Sequence, residues 1–360
     1  MRRRTTGLMK AALSALHYSG ADGMLSPLTG GVGVIFTLHH VRPEKPGDFE
    51  PNRILSITPE FLESVVRFVV ERGFEVLSLG EVEQRLAEGD FDRPFACFTF
   101  DDGYRDNKLY AYPIFRRYGL PFAVYVPTDF PDGNGDLWWL KLEKVVSALT
   151  TIEVKMHGAW TSFECRTRVQ KEMAFDQIYW WLRSIPETEA REVVADLCRL
   201  HGTDVANLCR DLVMNWDEVR DLAADPLVTI GAHTRRHFAL AKLSASEAQL
   251  EIAESVQRLE AELGRPCRHF SFPYGDEGSA GPREFEMVRE LGLKTAVTTR
   301  KGLIHARHSK RLTSLPRLSL NGEFQKQRYI KVMLTGAPFA IWNMARKLTL
   351  RPGAEGEARV

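Results

Sequence analysis

The sequence lacks the features that mark membrane-spanning and secreted proteins. None of its apolar runs approaches the ~20 residues needed to cross a bilayer, and the longest, residues 32–38, has the length of a strand. The first residues are basic, but the stretch that follows contains Lys10 and His17 and offers no small-residue cleavage site, so it matches a signal peptide poorly. We expect a cytoplasmic protein without a transmembrane segment, with peripheral contact to the inner membrane as an alternative.

Cysteine pairs and excess charge are also missing. The five cysteines form an odd number without a C-x-x-C pair, which is typical of reduced, buried thiols in a reducing compartment. With 48 basic against 47 acidic residues the net charge is +1, and the Lys and Arg residues are scattered rather than arranged in stripes with aromatic residues. This balance argues against a dedicated nucleic-acid-binding protein, because it supplies no field that would hold a polyanion.

Strands and helices alternate along most of the chain. Short runs rich in β-branched and aromatic residues are separated by stretches with helical periodicity, which is typical of βα units around a parallel sheet. The predicted strands are residues 32–38, 74–77, 95–100, 122–126, 228–232, 269–272 and 295–298. About seven such units are enough to close a barrel. The predicted fold is therefore α/β, a distorted (β/α) barrel of about seven parallel strands.

The alternation stops between residues 128 and 214. This stretch carries five tryptophans in mostly helical patterns, and we interpret it as a long helical insertion within the barrel. Its tryptophans either build a small helical core or border the functional site. The predicted parts are an N-terminal extension (1–30), a first part of the barrel (31–127), the insertion (128–214), a second part of the barrel (215–320) and a basic C-terminal tail (321–360).

Two adjacent carboxylates follow the predicted strand 95–100, in the sequence TFDDGY (99–104). Carboxylates at the end of an apolar strand are costly to bury unless they are paired or bind a metal. Gly103 permits a sharp turn, so both Asp101 and Asp102 can reach one site at the carboxyl end of the barrel. In isolation the same residues are more often an ordinary turn that caps the next helix.

A second polar cluster, HTRRH (233–237), follows the predicted strand 228–232. Two imidazoles four residues apart, together with one carboxylate, form a familiar set of ligands for a catalytic divalent metal. Taken alone, two histidines at this spacing are more often solvated. Both clusters, however, end apolar strands of the same predicted barrel, on the face where βα loops assemble active sites.

Together the two segments resemble the first two motifs of the polysaccharide deacetylase family, the NodB-homology metal-dependent N-deacetylases of carbohydrate esterase family 4. The segments WDEVRDL (216–222) and HFSFPYG (269–275) are similar to the same family. The resemblance covers roughly residues 30–130 and 214–300. It implies a barrel enzyme that removes acetyl groups from N-acetylated amino sugars.

The resemblance also implies roles for individual residues. Asp102, His233 and His237 would bind a divalent metal ion, usually zinc, and Asp101 would act as the general base. The backbone N–H of Tyr274 would help to bind the oxyanion. These roles are chemically consistent, because three protein ligands leave a position for a water molecule whose pKa zinc lowers to ~7.

Two features typical of the family are missing. The third motif usually contains an arginine, as RPPY, where this chain has SFPY (271–274). Arg317 is a candidate to orient Asp101 instead, with an ordinary surface arginine as the alternative. The late Leu-x-His motif that carries the general acid is not found after residue 300, where His305 and His308 lie in a polar, basic loop.

The segment TLHHV (37–41) offers another proton donor. It ends the first predicted strand and resembles the Tyr-His-x-Val segment of the poly-N-acetylglucosamine deacetylase branch of the family. That alignment selects His39 as the general acid, whereas a bare Leu-x-His pattern selects His40. Only one of the two should face the metal, because neighbouring residues of a strand point to opposite faces.

The sequence therefore predicts a metal-dependent N-deacetylase that acts on a poly- or oligosaccharide or a glycolipid precursor. One alternative is an enzyme of the same fold that hydrolyses a non-acetyl amide of a sugar-lipid. The other is a non-catalytic sugar-binding module, which is favoured if the missing arginine and late histidine mean that activity has been lost.

Overall fold

The computed structural model describes residues 2–44, 47 and 49–349. The strands are β1 (Gly33–Leu38), β2 (His40–Val41), β3 (Ser56–Ile57), β4 (Glu75–Val76), β5 (Phe95–Phe100), β6 (Phe122–Val126), β7 (Thr151–Met156), β8 (Ala159–Glu164), β9 (Val228–Ala232), β10 (His269–Ser271), β11 (Thr295–Lys301) and β12 (Leu315–Ser319). The α-helices are α1 (Arg2–Ser19), α2 (Ala21–Thr29), α3 (Pro59–Glu71), α4 (Leu79–Glu88), α5 (Tyr112–Tyr118), α6 (Trp138–Ala148), α7 (Arg168–Leu182), α8 (Glu187–Leu200), α9 (Leu208–Leu212), α10 (Trp216–Ala223), α11 (Ala245–Leu263), α12 (Pro282–Glu290), α13 (Gln327–Leu334) and α14 (Ala337–Thr349).

Seven parallel strands form a closed barrel surrounded by helices. β1 pairs with β5, β5 with β6 and β6 with β9, and the ring continues through β10, β11 and β12 back to β1. The strands β1, β5 and β6 are buried along their whole length, as expected for parallel strands covered on both faces. The predicted (β/α) barrel of about seven strands is confirmed.

One member of the ring differs from the prediction. The predicted strand 74–77 corresponds to the two-residue β4, which pairs with β5 outside the ring. The ring is completed instead by β12, which is not among the predicted strands. A proline at its second position and only five residues give β12 a weak strand pattern, because proline is disfavoured within a sheet.

Alternate residues of the barrel strands pack into two separate layers, one outside the ring and one inside it. Val34, Phe36 and Leu38 of β1 pack under the surrounding helices. Ile35 packs instead with residues of β5, β6, β11 and β12, inside the ring. Towards the carboxyl ends of the strands, the inner layer continues with buried polar side chains, namely Thr37, Thr99, Asp101, Ser271 and Arg317. Strand alternation therefore brings a polar layer to the carboxyl end of the barrel.

Residues 128–214 have an apolar core of their own, built largely by α6, α7 and α8. They also contain an antiparallel hairpin, β7–β8, which the prediction does not include. Its β7 strand shows the half-buried alternation of a two-stranded sheet, with Ile152 and Val154 buried and Glu153 and Lys155 exposed. All five cysteines of the protein are free thiols, and Cys165, Cys198 and Cys209 are buried in this core, Cys97 is buried in the barrel and Cys267 is half-buried.

The N-terminal and C-terminal helices pack together on the side of the barrel. Leu13 of α1 is buried against Tyr329 and Val332 of α13, and the hydroxyl of Thr29, the last residue of α2, donates to the Thr335 carbonyl at 2.6 Å. Within the described part of the chain, no helix is long and apolar enough to cross a membrane. The division of the chain into five parts stays a prediction, and residues 350–360 of the predicted basic tail lie outside the described residues.

Candidate metal centre and active site

Several loops at the carboxyl ends of the barrel strands adopt a left-handed backbone conformation. The non-glycine residues of these loops that adopt it are Asp102 (φ 73°), Thr234 (φ 61°), His237 (φ 59°) and Tyr274 (φ 60°). This conformation is uncommon for such residues, and it is typical of functional sites, where it costs about 1–3 kcal/mol for each residue. At Asp102 it turns the chain sharply after β5, so Asp102 does not simply alternate away from Asp101.

The side chains of Asp102, His233 and His237 converge in a buried cluster. Oδ1 of Asp102 lies 3.5 Å from Nε2 of His233 and 3.2 Å from Nε2 of His237. Ligand atoms about 2.0–2.1 Å from a tetrahedral zinc ion are separated from each other by roughly 3.3 Å. The spacing of the three donors therefore suits a small divalent ion.

The surroundings of the cluster also suit a metal. Nδ1 of His233 donates to the Ser271 carbonyl at 2.6 Å, which leaves the lone pair on Nε2, the atom that faces Asp102. Oδ1 of Asp102 is buried and accepts no hydrogen bond from the described residues. Burial lowers the pKa of His237, which favours the neutral imidazole that binds metals. Burial alone would raise the pKa of Asp102, but its contacts with the imidazoles of His237 and His233 act in the opposite direction, and the pKa lies well below its usual value.

The other carboxylate, Asp101, is held by Arg317. The guanidinium donates two hydrogen bonds to the carboxylate, from Nη1 to Oδ1 at 2.9 Å and from Nη2 to Oδ2 at 2.6 Å. Burial alone raises the pKa of Asp101, but the charge and the hydrogen bonds of Arg317 act against it, and the pKa is lowered. Asp101 is therefore ionised and fixed in orientation, and Arg317 is buried rather than the surface residue of the alternative interpretation.

Arg317 reaches this position because small polar residues surround it. Its Nη1 donates to the Thr99 hydroxyl at 3.0 Å, its Nη2 to the Ser271 hydroxyl at 3.0 Å and its Nε to the Thr298 carbonyl at 2.9 Å. By the family resemblance of the third motif, Ser271 stands at the position of the usual arginine. In this chain the small serine side chain leaves room for Arg317 from β12. All the hydrogen bonds that the guanidinium donates go to the Asp101 carboxylate and to the polar groups around it.

The two neighbouring histidines after β1 have different surroundings. His40 is buried, with Nδ1 2.6 Å from Oδ2 of Asp106 and its ring stacked on Tyr104 at a centroid distance of 3.6 Å. His39 follows the inward-facing positions of β1, and its pKa is lowered chiefly by burial, while the charges of Asp102 and Asp101 raise it. His39 thus experiences the field of Asp101 and Asp102, whereas His40 contacts Asp106.

Residues 128–214 border the cluster. The ring of Trp139 lies 5.1 Å from the ring of His237, and Nε1 of Trp138 donates to the Tyr274 hydroxyl at 2.8 Å. The Arg183 guanidinium lies over the Tyr274 ring, 3.6 Å from its centre. Sequence reasoning did not single out Trp138, Trp139 or Arg183 individually, because their approach to the barrel depends on how the insertion folds back.

The late histidines lie elsewhere. Nδ1 of His308 accepts a hydrogen bond from the backbone of His305 at 2.9 Å, in the connection between β11 and β12. Both residues line a groove near the amino end of β1, together with Leu28 and Phe339. They are not brought together with Asp101, Asp102 or the metal-binding candidates.

A family model for polysaccharide deacetylases matches residues 88–296, which is more than half of the chain. The chain belongs to the polysaccharide deacetylase family. This membership makes the protein a carbohydrate deacetylase, a hydrolase, and it confirms the family resemblance of the motifs. A comparison with curated protein sequences gave no match.

Solved structures of deacetylases share the fold of this deacetylase. Streptococcus pyogenes deacetylase PplD in complex with acetate is 16% identical, with a TM-score of 0.54 over 83% of this chain and 97% of that chain. IcaB from Ammonifex degensii is 16% identical, with a TM-score of 0.52 over 84% and 97%. A de-N-acetylase from Aggregatibacter actinomycetemcomitans is 15% identical, with a TM-score of 0.53 over 84% and 99%. At these identities the similarity is one of fold.

Proposed function

We propose that this deacetylase is a metal-dependent N-deacetylase that hydrolyses the acetamide of an N-acetylated amino sugar in a poly- or oligosaccharide or a glycolipid precursor. The observation that carries the proposal is the pair of adjacent carboxylates with separate partners. Asp102 lies with the two imidazoles of His233 and His237, and Asp101 lies with Arg317. One carboxylate is thus available as a metal ligand and the other as a base.

Asp102, His233 and His237 would hold the divalent ion, for which zinc is the first candidate. When bound, such an ion supplies a Lewis acid that polarises the amide carbonyl and lowers the pKa of water. Asp101 is the base that takes the proton of the attacking water. Its ionised state and its two hydrogen bonds to Arg317 keep the carboxylate ready and aligned for that transfer.

His39 is the proposed donor of the proton to the leaving nitrogen. Amide cleavage expels a poor leaving group, so the nitrogen must be protonated as the C–N bond breaks. Burial lowers the pKa of His39, and a lower pKa makes its protonated form a stronger acid. The backbone N–H of Tyr274 is the proposed donor to the oxyanion, on the ground of the family resemblance of its motif.

The alternative of a silent sugar-binding module depended on the missing third-motif arginine and late histidine. Arg317 supplies a guanidinium to Asp101 from β12, and His39 lies in the field of the two carboxylates. Both observations favour an active enzyme. The alternative amide substrate keeps the same machinery and differs only in the acyl group released, so product analysis separates it from a deacetylase.

Metal content tests the ligand assignment. We expect purified protein to contain one divalent ion per chain and His237→Ala to lose it, because the variant lacks one of three ligands. His305→Ala removes a histidine outside the cluster and should keep the ion. Stoichiometric metal in His237→Ala would remove His237 from the ligand set.

The substrate is tested by measuring acetate released from chitooligosaccharides, polymeric N-acetylglucosamine and lipid-linked amino sugars. We expect acetate from at least one of them with the parent protein and none with His237→Ala. Release of a different acid from a sugar-lipid would favour the alternative amidohydrolase. Metal binding and sugar binding without release of any acid would favour the silent module.

A further inference from the structure

The balanced net charge conceals an uneven distribution of charge along the chain. Residues 1–31 and 295–349 together contain 15 basic and 2 acidic residues, whereas the rest of the chain contains 33 basic and 45 acidic residues. Of the two acidic residues, Asp22 is buried, and Glu323 forms an ion pair with Lys10 in which Oε2 lies 3.3 Å from Nζ. The scattered pattern expected from the sequence therefore holds for the chain as a whole and not for its two ends.

The two ends form one surface. α1 contacts α13, α2 contacts α14, and the Thr29 hydroxyl bonds to the Thr335 carbonyl across the junction. We call the exposed side of α1, α2 and α14, with the adjacent connection 301–311, the terminal helix surface. Arg317 is buried and does not belong to this surface, and the exposed basic side chains described on it come from the connection 301–311.

The terminal helix surface also exposes large apolar side chains. They are Leu8, Tyr18, Met24, Leu28, Ile341, Trp342 and Met344. Leu28 is 86% exposed and Met24 82% exposed, so these side chains have no apolar cover within the described residues. Clustered apolar side chains on the surface of a folded protein mark an interaction site.

Apolar and basic groups are interleaved on this surface. Leu28, Phe339, Lys301 and Arg307 line one groove of about 360 Å³. Nζ of Lys301 lies 5.9 Å from the ring centre of Trp342. The exposed charged residues of the connection 301–311 are all basic, namely Lys301, Arg307, Lys310 and Arg311.

We propose that the terminal helix surface docks on an anionic phospholipid bilayer. Exposed leucine, methionine and tryptophan side chains suit the boundary between headgroups and acyl chains, and the surrounding basic residues suit anionic headgroups. A second copy of the chain is disfavoured, because two such surfaces would bring like charges together. Nucleic acid is disfavoured, because five of the seven exposed apolar residues are Leu, Met or Ile, which do not offer the aromatic faces on which bases stack.

Docking in this way leaves the catalytic opening free. The groove lies where the backbone of Val32 bonds to Ile304 at the amino end of β1, whereas His39 follows the carboxyl end of the same strand. Membrane attachment and hydrolysis thus use different parts of the molecule. Because vesicle binding is measured without substrate, its outcome does not depend on the proposed deacetylase activity.

Vesicle flotation tests the proposal, with vesicles of phosphatidylcholine alone and of phosphatidylcholine with phosphatidylglycerol. We expect binding only to the anionic vesicles, weakening as salt rises. Arg307→Glu with Lys310→Glu should weaken binding by about tenfold or more, since each basic residue near the membrane contributes about fivefold. Leu28→Ser with Trp342→Ser should weaken binding by a different route, through the loss of buried apolar area.

Matched controls come from the hairpin region. Lys155→Glu with Arg166→Glu changes the net charge equally at exposed positions, and Trp160→Ser removes a tryptophan that is 70% exposed. Both controls should bind anionic vesicles like the parent. Thermal unfolding and acetate release from a soluble substrate should be unchanged in the surface variants, which shows that they are folded.

Three results would overturn the proposal. One is equal binding to both kinds of vesicle or to neither. Another is an equal loss of binding in the matched controls. The third is binding to duplex DNA at least as strong as to anionic vesicles and unaffected by Leu28→Ser with Trp342→Ser, which would assign the surface to polyanions in general.

Discussion

At the carboxyl ends of the barrel strands, charged side chains are buried and have specific partners, as Asp101 has in Arg317. On the terminal helix surface, by contrast, the charged side chains of the connection 301–311 are exposed and share one sign. The first arrangement depends on the position of individual atoms, and the second on the sum of many weak contributions. We therefore expect single substitutions to have large effects in the barrel and small, additive effects on the surface.

Among these substitutions, Asp101→Asn is expected to have the largest effect, which is on kcat. An amide cannot accept the proton of the attacking water, so kcat should fall by ~10²- to 10⁴-fold. The metal content should stay unchanged, because Asp101 is not among the candidate ligands. Steady-state kinetics with metal analysis checks both statements. Activity within a few-fold of the parent would limit Asp101 to a structural role.

Breaking the Asp101–Arg317 pair should also reduce stability strongly. Arg317→Met leaves a buried carboxylate without its counter-ion, and such changes cost about 3–5 kcal/mol in the free energy of unfolding. The double variant Arg317→Met with Asp101→Asn removes both charges and should lose less than the sum of the two single variants. Denaturant unfolding measures all three. Additive losses would show that the two side chains stabilise the barrel independently.

A smaller effect on turnover separates His39 from His40. His39→Ala should lower kcat by ~10²-fold with the metal retained, because the proton donor is removed. His40→Ala should act mainly on stability, since it removes the contacts with Asp106 and Tyr104. The reverse pattern would shift the assignment by one residue. If neither variant slows turnover, Asp101 is the next candidate to return the proton.

The smallest of these effects is expected where residues 128–214 meet the site. Trp138→Phe keeps the aromatic ring but removes the hydrogen bond from Nε1 to the Tyr274 hydroxyl, worth about 1 kcal/mol or roughly fivefold. We expect a change of this size in kcat/KM. Trp180→Phe is the matched control, because Trp180 belongs to the same stretch and is 62% exposed. Equal effects in both variants would make the Trp138 contact irrelevant to catalysis.

The parts of the molecule that were predictable from the sequence are those with a strong local pattern. The predicted strands 95–100, 122–126 and 228–232 agree with β5, β6 and β9, because continuous apolar runs of this length are typical of buried parallel strands. β12 and the hairpin β7–β8 have weaker patterns. Their pairing depends on partners that are distant in the sequence or on a turn that the composition does not single out.

The residues of the candidate site also differ in how far local sequence patterns predict them. The positions of the two motifs after apolar strands of one barrel indicated a common site, and the family resemblance selected Asp102, His233 and His237 within it. The contact of Arg317 with Asp101 stayed an open alternative, since it requires both the register of β12 and the small side chain of Ser271. No local sequence pattern predicts the terminal helix surface, because it combines segments about 300 residues apart.

The closure of the ring by β12 has a consequence for the chain during its synthesis. Asp101 and Arg317 are separated by 216 positions, and at 5–20 residues per second a ribosome needs about 10 to 40 s to make the intervening chain. Throughout that interval Asp101 has no guanidinium to hold it, and β1 lacks its second neighbour. The proposed base therefore has no partner to align it until β12, the last strand, has left the ribosome.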